Sequence, residues 1–282
     1  MNETFLIQFL NDYFNGDFKN IHDVAGNKHL VGYSNLYNEN LFIKIFIDES
    51  MFYAEQHVNQ VYYPEIYLDS VIYEDNYVVV LKDRELFDID QELNEERAYK
   101  YGTMIANFHN KLTNNVSVKN DTRRLSEIVD EDFQNLKNTE YEKKVSEAYE
   151  HIQRILQQVD NEYELLPKVV LHGDFSLRNI KKYKDNEVLI DFEHSRMGSQ
   201  YEDFIKFFFN EVVDVSLRNE FLKGYRDQGE FEIPSSELQQ VLLFKTAIEI
   251  YLFHLSHPKK KFGKMADMMI QTILNNDAVL KI

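Results

Sequence analysis

Three oxygen-bearing side chains within Val169–Phe192, VVLHGDFSLRNIKKYKDNEVLIDF, have the types and spacing of a reactive set. A short apolar run leads into His172-Gly173-Asp174. Asn179 follows in the pattern H-x-D-x-x-x-x-N, and Asp191-Phe192 ends a second apolar run. Phosphoryl transfer needs such parts. A carboxylate and an amide supply the hard oxygens that Mg2+ prefers, and a further carboxylate must lie beside the acceptor hydroxyl. Asp174 is the candidate base or orienter; Asn179 and Asp191 are the candidate metal ligands. Each has a plainer reading when taken singly. Asp174 could cap a turn, Asn179 could fix a loop, and Asp191 could end a strand. The intact order of strand, loop, strand and Asp-Phe favours chemistry. His172 reads as loop architecture rather than a proton carrier.

These residues must be held by elements. Val169–Leu171 and Glu187–Ile190 read as short buried strands, the second after the polar turn Lys184-Asp185-Asn186. Near the N-terminus, Phe5, Leu6, Phe9, Leu10, Tyr13 and Phe14 form a helical stripe. LFIKIFI (Leu41–Ile47) is a strand with Lys44 in its middle, a costly place for a lysine unless its charge is used or it snorkels to water. A helix capped by Ser50 is expected next, with Met51, Ala54, Val58 and Val61 on one face. EIYLDSVIY and YVVVL then form a hairpin around Glu74-Asp75-Asn76. Beyond Asp83 the periodicity turns helical. Asn94–Leu112 buries Ala98, Tyr101, Ile105, Phe108 and Leu112; residues 121–160 give one or two polar helices; and Leu238, Leu242, Ile248, Leu252 and Leu255 mark one long amphipathic helix. The fold class is therefore α+β, with a strand-rich part over residues 1–82 and a helical part over 83–282.

With those motifs in place, the sequence resembles the aminoglycoside phosphotransferase/choline kinase family, of the protein-kinase-like fold. HGDFSLRNI is similar to its catalytic loop, VLIDFEHSRMGSQYEDF to its metal-binding segment, and MIANFHNK (Met104–Lys111) to the helix that precedes them. The resemblance implies a bilobal molecule that moves the γ-phosphoryl group of ATP or GTP to a hydroxyl of a small acceptor, with Mg2+. It implies that Asp174 orients the hydroxyl and that Asn179 and Asp191 bind magnesium. It also implies that Lys44 clamps the nucleotide phosphates with Glu55 as its partner, while the interlobe strand end at Leu81 and Asp83 meets the base. Asp203 matches a family aspartate that anchors the loop. Two departures stand out. The phosphate-covering region GNKHLVGYSN has only Gly26 and Gly32. Glu193 gives Asp-Phe-Glu, which could meet a cationic substrate or a second metal, or pair with a lysine or arginine such as Arg178 or Arg196.

Composition sets the outer bounds. The 282-residue chain has 44% hydrophobic residues, with 21 Phe and 18 Tyr, enough to exclude a disordered chain. It has no cysteine, which excludes disulfide scaffolds and thiol chemistry. The net charge of −17 opposes binding to phosphate backbones, so no nucleic-acid partner is expected, and it could draw a cationic acceptor such as an aminoglycoside. A choline- or ethanolamine-type alcohol or a sugar is also compatible, as is a nucleotide-binding module without turnover. The N-terminal stretch lacks a signal-peptide pattern and no run reaches membrane-spanning length, so a cytoplasmic location is expected. Pro258-Lys259-Lys260-Lys261 reads as a solvated turn between helices. Lys245 and Glu249, one helical turn apart, read as an ion pair worth about 0.2–0.5 kcal/mol, with a substrate contact by Glu249 as the second reading.

Overall fold

Apolar residues alternate in the first part of the chain and recur at helical spacing in the rest, and the structure divides in the same way. The computed structural model describes residues 3–24, 27–90, 92–112, 116–258, 260–277 and 280. Among the described residues the order is α1 (Glu3–Tyr13), β1 (Gly16–Val24), β2 (Asn27–Ser34), β3 (Glu39–Phe46), α2 (Glu49–Tyr62), β4 (Tyr67–Tyr73) and β5 (Asn76–Lys82). There follow α3 (Glu95–Lys111), α4 (Leu125–Asn135), α5 (Glu142–Gln153), α6 (Leu156–Leu165), β6 (Lys168–Leu171), β7 (Ile180–Tyr183) and β8 (Asn186–Leu189). The chain ends with β9 (Arg196–Ser199), α7 (Tyr201–Asn210), α8 (Val215–Arg226), α9 (Ser236–Ser256) and α10 (Lys260–Leu274).

The first five strands form one antiparallel sheet in the order β1-β2-β3-β5-β4. Its two faces are covered differently because side chains alternate along β3. Leu41, Ile43 and Ile45 pack with Leu30, Val78 and Val80 against Leu6 and Leu10 of α1 and Phe14 just beyond it. Phe46 packs with Val79, Leu81 and Phe52 of α2 on the other face, which also carries Lys44. The α1 stripe is narrower than its sequence suggests, since Phe5 and Tyr13 are exposed. Asp48, not Ser50, caps α2: its carboxylate accepts from the Ser50 and Met51 amides at 2.7 and 3.1 Å. A carboxylate satisfies two orphan amides at once and suits the positive end of the helix dipole.

The helical part has its own large core. Asn94 caps α3, whose five expected core residues are all buried. Residues 121–160 hold parts of three helices rather than one or two, because Thr139 and Arg154 fall in turns between them. α9 is buried nearly all round over Leu238–Ile248 and is the central helix of this part, not an amphipathic surface one. Its exposed end carries Leu255. Two small pairs, β6-β9 and β7-β8, follow; the loop after β8 meets the Lys44-bearing face of the large sheet, and the loop after β6 packs against that loop. Among the described residues, no helix is long and apolar enough to cross a membrane.

Candidate active site

Lys44 stands at the centre of the site. β3 directs it away from α1, and its side chain is almost fully buried. Its Nζ lies 2.6 Å from Asp191 Oδ1, 3.1 Å from Glu55 Oε2 and 3.1 Å from Glu193 Oε2. Burial alone would lower the lysine pKa, but Asp191, Glu55 and Glu193 outweigh it and hold Lys44 above its ordinary value. Burial and the neighbouring carboxylates raise Glu55 despite its lysine partner. For Asp191 the balance is reversed: burial raises it, and Lys44 more than offsets that, so it stays ionised.

Glu55 also joins three elements. Its Oε2 accepts from the Phe192 amide at 2.7 Å, and its Oε1 accepts from Asn59 Nδ2 at 3.2 Å. One buried carboxylate thus ties strand β3, helix α2 and the Asp191-Phe192 loop. That loop is sharply turned, with Asp191 at φ 71°, a left-handed conformation uncommon for a residue with a side chain. Gly173 faces it at φ 78°, and a Cβ there would lie 2.1 Å from the His194 carbonyl oxygen. Only glycine lets the two loops approach this closely.

Asp174 follows Gly173 on the loop after β6. Its Oδ2 accepts from Asn179 Nδ2 at 3.0 Å and pairs with Arg178, and its carbonyl accepts from the same Asn179 amide at 2.8 Å. Asn179 ends a 3-10 turn, Leu177–Asn179, just before β7. With its amide nitrogen directed at Asp174, its carbonyl oxygen is the group left for a cation. The loop is anchored from below. Buried Asp203 accepts from the His172 and Gly173 amides, both at 2.8 Å, and from His109 Nε2 at 3.0 Å. His172 Nε2 lies 3.0 Å from the Ile190 carbonyl, and its Nδ1 accepts from the Asp174 amide at 3.3 Å. His172 is therefore a brace, as its sequence context suggests. His109, from the Phe-His pair of α3, is the Asp203 partner; sequence marks the pair without saying what it holds.

The donor set fits Mg2+. Three carboxylates surround one ammonium, leaving excess negative charge, and Asn179 adds an amide oxygen. Among the described residues, no three or more His, Cys, Asp or Glu side chains are grouped to hold an ion unaided. That suits an ion which takes one or two protein carboxylates and fills its remaining positions from phosphate and water.

The structure gathers Lys44, Glu55, Asp191 and Glu193 around one point and puts Asp174 and Asn179 in mutual contact. Glu193 pairs with Lys44 and not with either arginine: Arg178 is taken by Asp174, and Arg196 by Glu202 at 3.0 Å. Asn27 Nδ2 reaches Glu193 Oε1 at 3.4 Å. Glu249 belongs to a second charge group. It pairs with Lys245 at 2.7 Å, Lys245 reaches Glu202 at 3.4 Å, and Tyr163 donates to Glu202 at 2.8 Å. At the strand end, Leu81 is enclosed between Phe42 and Tyr67, and the Asp83 amide donates to the Asn40 carbonyl at 2.8 Å. Sheet bonding has thus already used one donor that could have met a base. Of the two glycines of the phosphate-covering region, Gly26 lies outside the described residues, and Gly32 sits well inside β2 opposite Phe18. Lys259 of the basic run also lies outside them.

No curated protein matches the sequence. The fold is similar to that of a thermostable mutant of aminoglycoside phosphotransferase APH(4)-Ia in ternary complex with ADP and hygromycin B. The identity is 12% and the TM-score 0.68, with 97% of this chain and 99% of that one covered. It is similar to amicoumacin kinase hAmiN in complex with AMP-PNP, Ca2+ and Ami, at 13% identity and a TM-score of 0.65, covering 99% and 95%. It is also similar to choline kinase LicA from Streptococcus pneumoniae, at 11% identity and a TM-score of 0.65, covering 97% and 98%. At such identities the likeness is one of fold, and it agrees with a small antiparallel sheet lobe set on a helical lobe. Residues 43–236, more than half of the chain and the stretch that holds Lys44, Asp174 and Asp191, match the sequence pattern of a single family; the chain belongs to the phosphotransferase enzyme family.

Proposed function

We propose that the protein is a magnesium-dependent small-molecule kinase that transfers the γ-phosphoryl group of ATP to a hydroxyl of a small acceptor. The observation that carries this reading is the buried Lys44 ammonium, held by Glu55 from the sheet lobe and by Asp191 and Glu193 from the helical lobe. A lysine so fixed is placed to meet phosphate oxygens. The lobes divide at Lys82/Asp83, and the base lies near the strand end at Leu81 and Asp83. ADP and AMP-PNP in the neighbours' complexes favour ATP as donor.

Asp191 and Asn179 would hold the magnesium, which when bound neutralises charge on the β- and γ-phosphates. Lys44 meets the phosphates, and Glu55 keeps Lys44 in place. Glu193 works on the phosphate side, since its partner is Lys44. Asp174 aligns the acceptor hydroxyl. A bond forms between the hydroxyl oxygen and the γ-phosphorus, the bond to the β,γ-bridging oxygen breaks, and the hydroxyl proton passes to the Asp174 carboxylate. Arg178 and Asn179 fix that carboxylate beforehand, so little reorganisation is needed at the moment of transfer. Hygromycin B and Ami appear with the neighbours, and the chain's charge of −17 favours cations, so the acceptor class we infer is a hydroxylated, amino-bearing small molecule.

The test is ATP consumption with magnesium across amino-sugars, amino-alcohols and sugars. We expect at least one compound to give acceptor-dependent turnover that Asp191→Ala abolishes. Nucleotide binding with no turnover on any hydroxyl compound would favour a binding module instead.

A further inference from the structure

β2 carries a side chain that the site as described does not use. His29 lies directly opposite Lys44 in the β2–β3 register, so both side chains stand on the same face of the sheet. Asn27, two positions earlier on that face, already reaches into the site through Glu193. The His29 ring packs 5.3 Å from the Phe42 ring, yet its Nε2 is buried without a hydrogen-bond partner among the described residues. An unpaired buried polar nitrogen is destabilising. A purely structural ring at this position would leave that cost uncompensated.

We infer that His29 is a nucleotide-binding residue, whose ring nitrogen donates a hydrogen bond to the phosphate chain clamped by Lys44. This rests on the reading of the cleft as a nucleotide site and adds a ligand to it. The chemistry suits the departure already noted: where a glycine-rich turn would offer backbone amides to phosphate, this glycine-poor hairpin offers a side-chain donor. Burial and the neighbouring Lys44 bring His29 down to about 4, so the ring is neutral at pH 7 and carries one N–H.

Dissociation constants for Mg·ATP and for adenosine would be compared in the wild type, His29→Phe and His29→Gln, with melting temperatures as folding controls. We expect His29→Phe to weaken ATP about ten-fold or more and to leave adenosine within about two-fold, as the loss of one hydrogen bond to a charged group requires. His29→Gln, which keeps a donor, should recover most of the loss. In 15N-histidine-labelled wild type, the His29 Nε2 resonance should move with ATP and stay with adenosine. Unchanged ATP affinity in His29→Phe, equal losses for ATP and adenosine, or an Nε2 signal indifferent to ATP would each overturn the inference while the nucleotide reading stands. A wild type that binds no ATP at all would bring down both.

Discussion

Lys44 and Glu55 are a buried ion pair that does not behave as a simple pair. Removing one charge from an isolated buried pair costs about 3–5 kcal/mol, because the other is left uncompensated. Here three carboxylates share one ammonium, so the two halves of the pair differ. We expect Lys44→Met to cost about 3–5 kcal/mol in chemical denaturation, since it strands the buried Glu55 among like charges. Glu55→Gln should cost distinctly less, because Lys44 keeps Asp191 and Glu193 and a glutamine oxygen can still accept from the Phe192 amide. Equal losses would contradict the shared arrangement. The sequence made Lys44 legible, because a lysine inside LFIKIFI has no cheap explanation. It also made Asp174, Asn179 and Asp191 legible by their order. The sequence does not say which lysine or arginine Glu193 meets; only the fold of the Asp191 turn selects Lys44 over Arg178 and Arg196.

At the scale of elements, α3 and α8 cross so closely that each needs a glycine. A Cβ on Gly102 would lie 1.9 Å from the Phe221 carbonyl oxygen, and one on Gly224 would lie 2.0 Å from that of Tyr99. Both obstacles are backbone, so a methyl group forces the helices apart. Gly102→Ala should destabilise by about 1–3 kcal/mol, against the stabilisation that alanine gives an exposed helix. A melting temperature equal to or above wild type would contradict this. Sequence periodicity found the α3 stripe but not this crossing, because a glycine within a helical pattern does not say which backbone passes it. The same limit applies to α9. Its apolar stripe was readable, but burial on every side depends on helices far away in the chain. The charge group beneath α9 gives a pH-dependent test. Burial raises Glu202, and Arg196 and Lys245 outweigh it and hold it at about 2, against 4.5 ordinarily. Its stabilisation is complete above 4.5 and is lost as pH falls towards 2. Between these values the wild type should lose stability more steeply than Glu202→Gln; parallel acid limbs would contradict the assignment.

Across the whole molecule, the site is built from two lobes that meet through Lys44, Glu55, Asp191, Glu193 and Asn27. A ligand seated between them stabilises the folded chain by mass action, by about 2.7 kcal/mol at a hundred times its dissociation constant. ATP with magnesium should therefore raise the melting temperature, and chelating the magnesium should remove most of the rise. A rise that survives chelation would mean that Asp191 and Asn179 do not hold the ion. The α+β division and the bilobal order could be read from the change in periodicity near Asp83, because strand and helix periods are local properties. The gathering of Lys44, Glu55 and Asp191 at one point and the contact of Asp174 with Asn179 are tertiary facts, and only the motif order hinted at them.

The most direct measurement of the central claim is acceptor phosphorylation by Asp174→Asn, with the dissociation constant for Mg·ATP determined alongside. We expect kcat to fall by roughly 10²–10⁴-fold, with nucleotide affinity within about two-fold of wild type, if Asp174 serves the acceptor hydroxyl as proposed and not the nucleotide. Undiminished phosphorylation by the variant would contradict the assignment of Asp174 and with it the proposed chemistry.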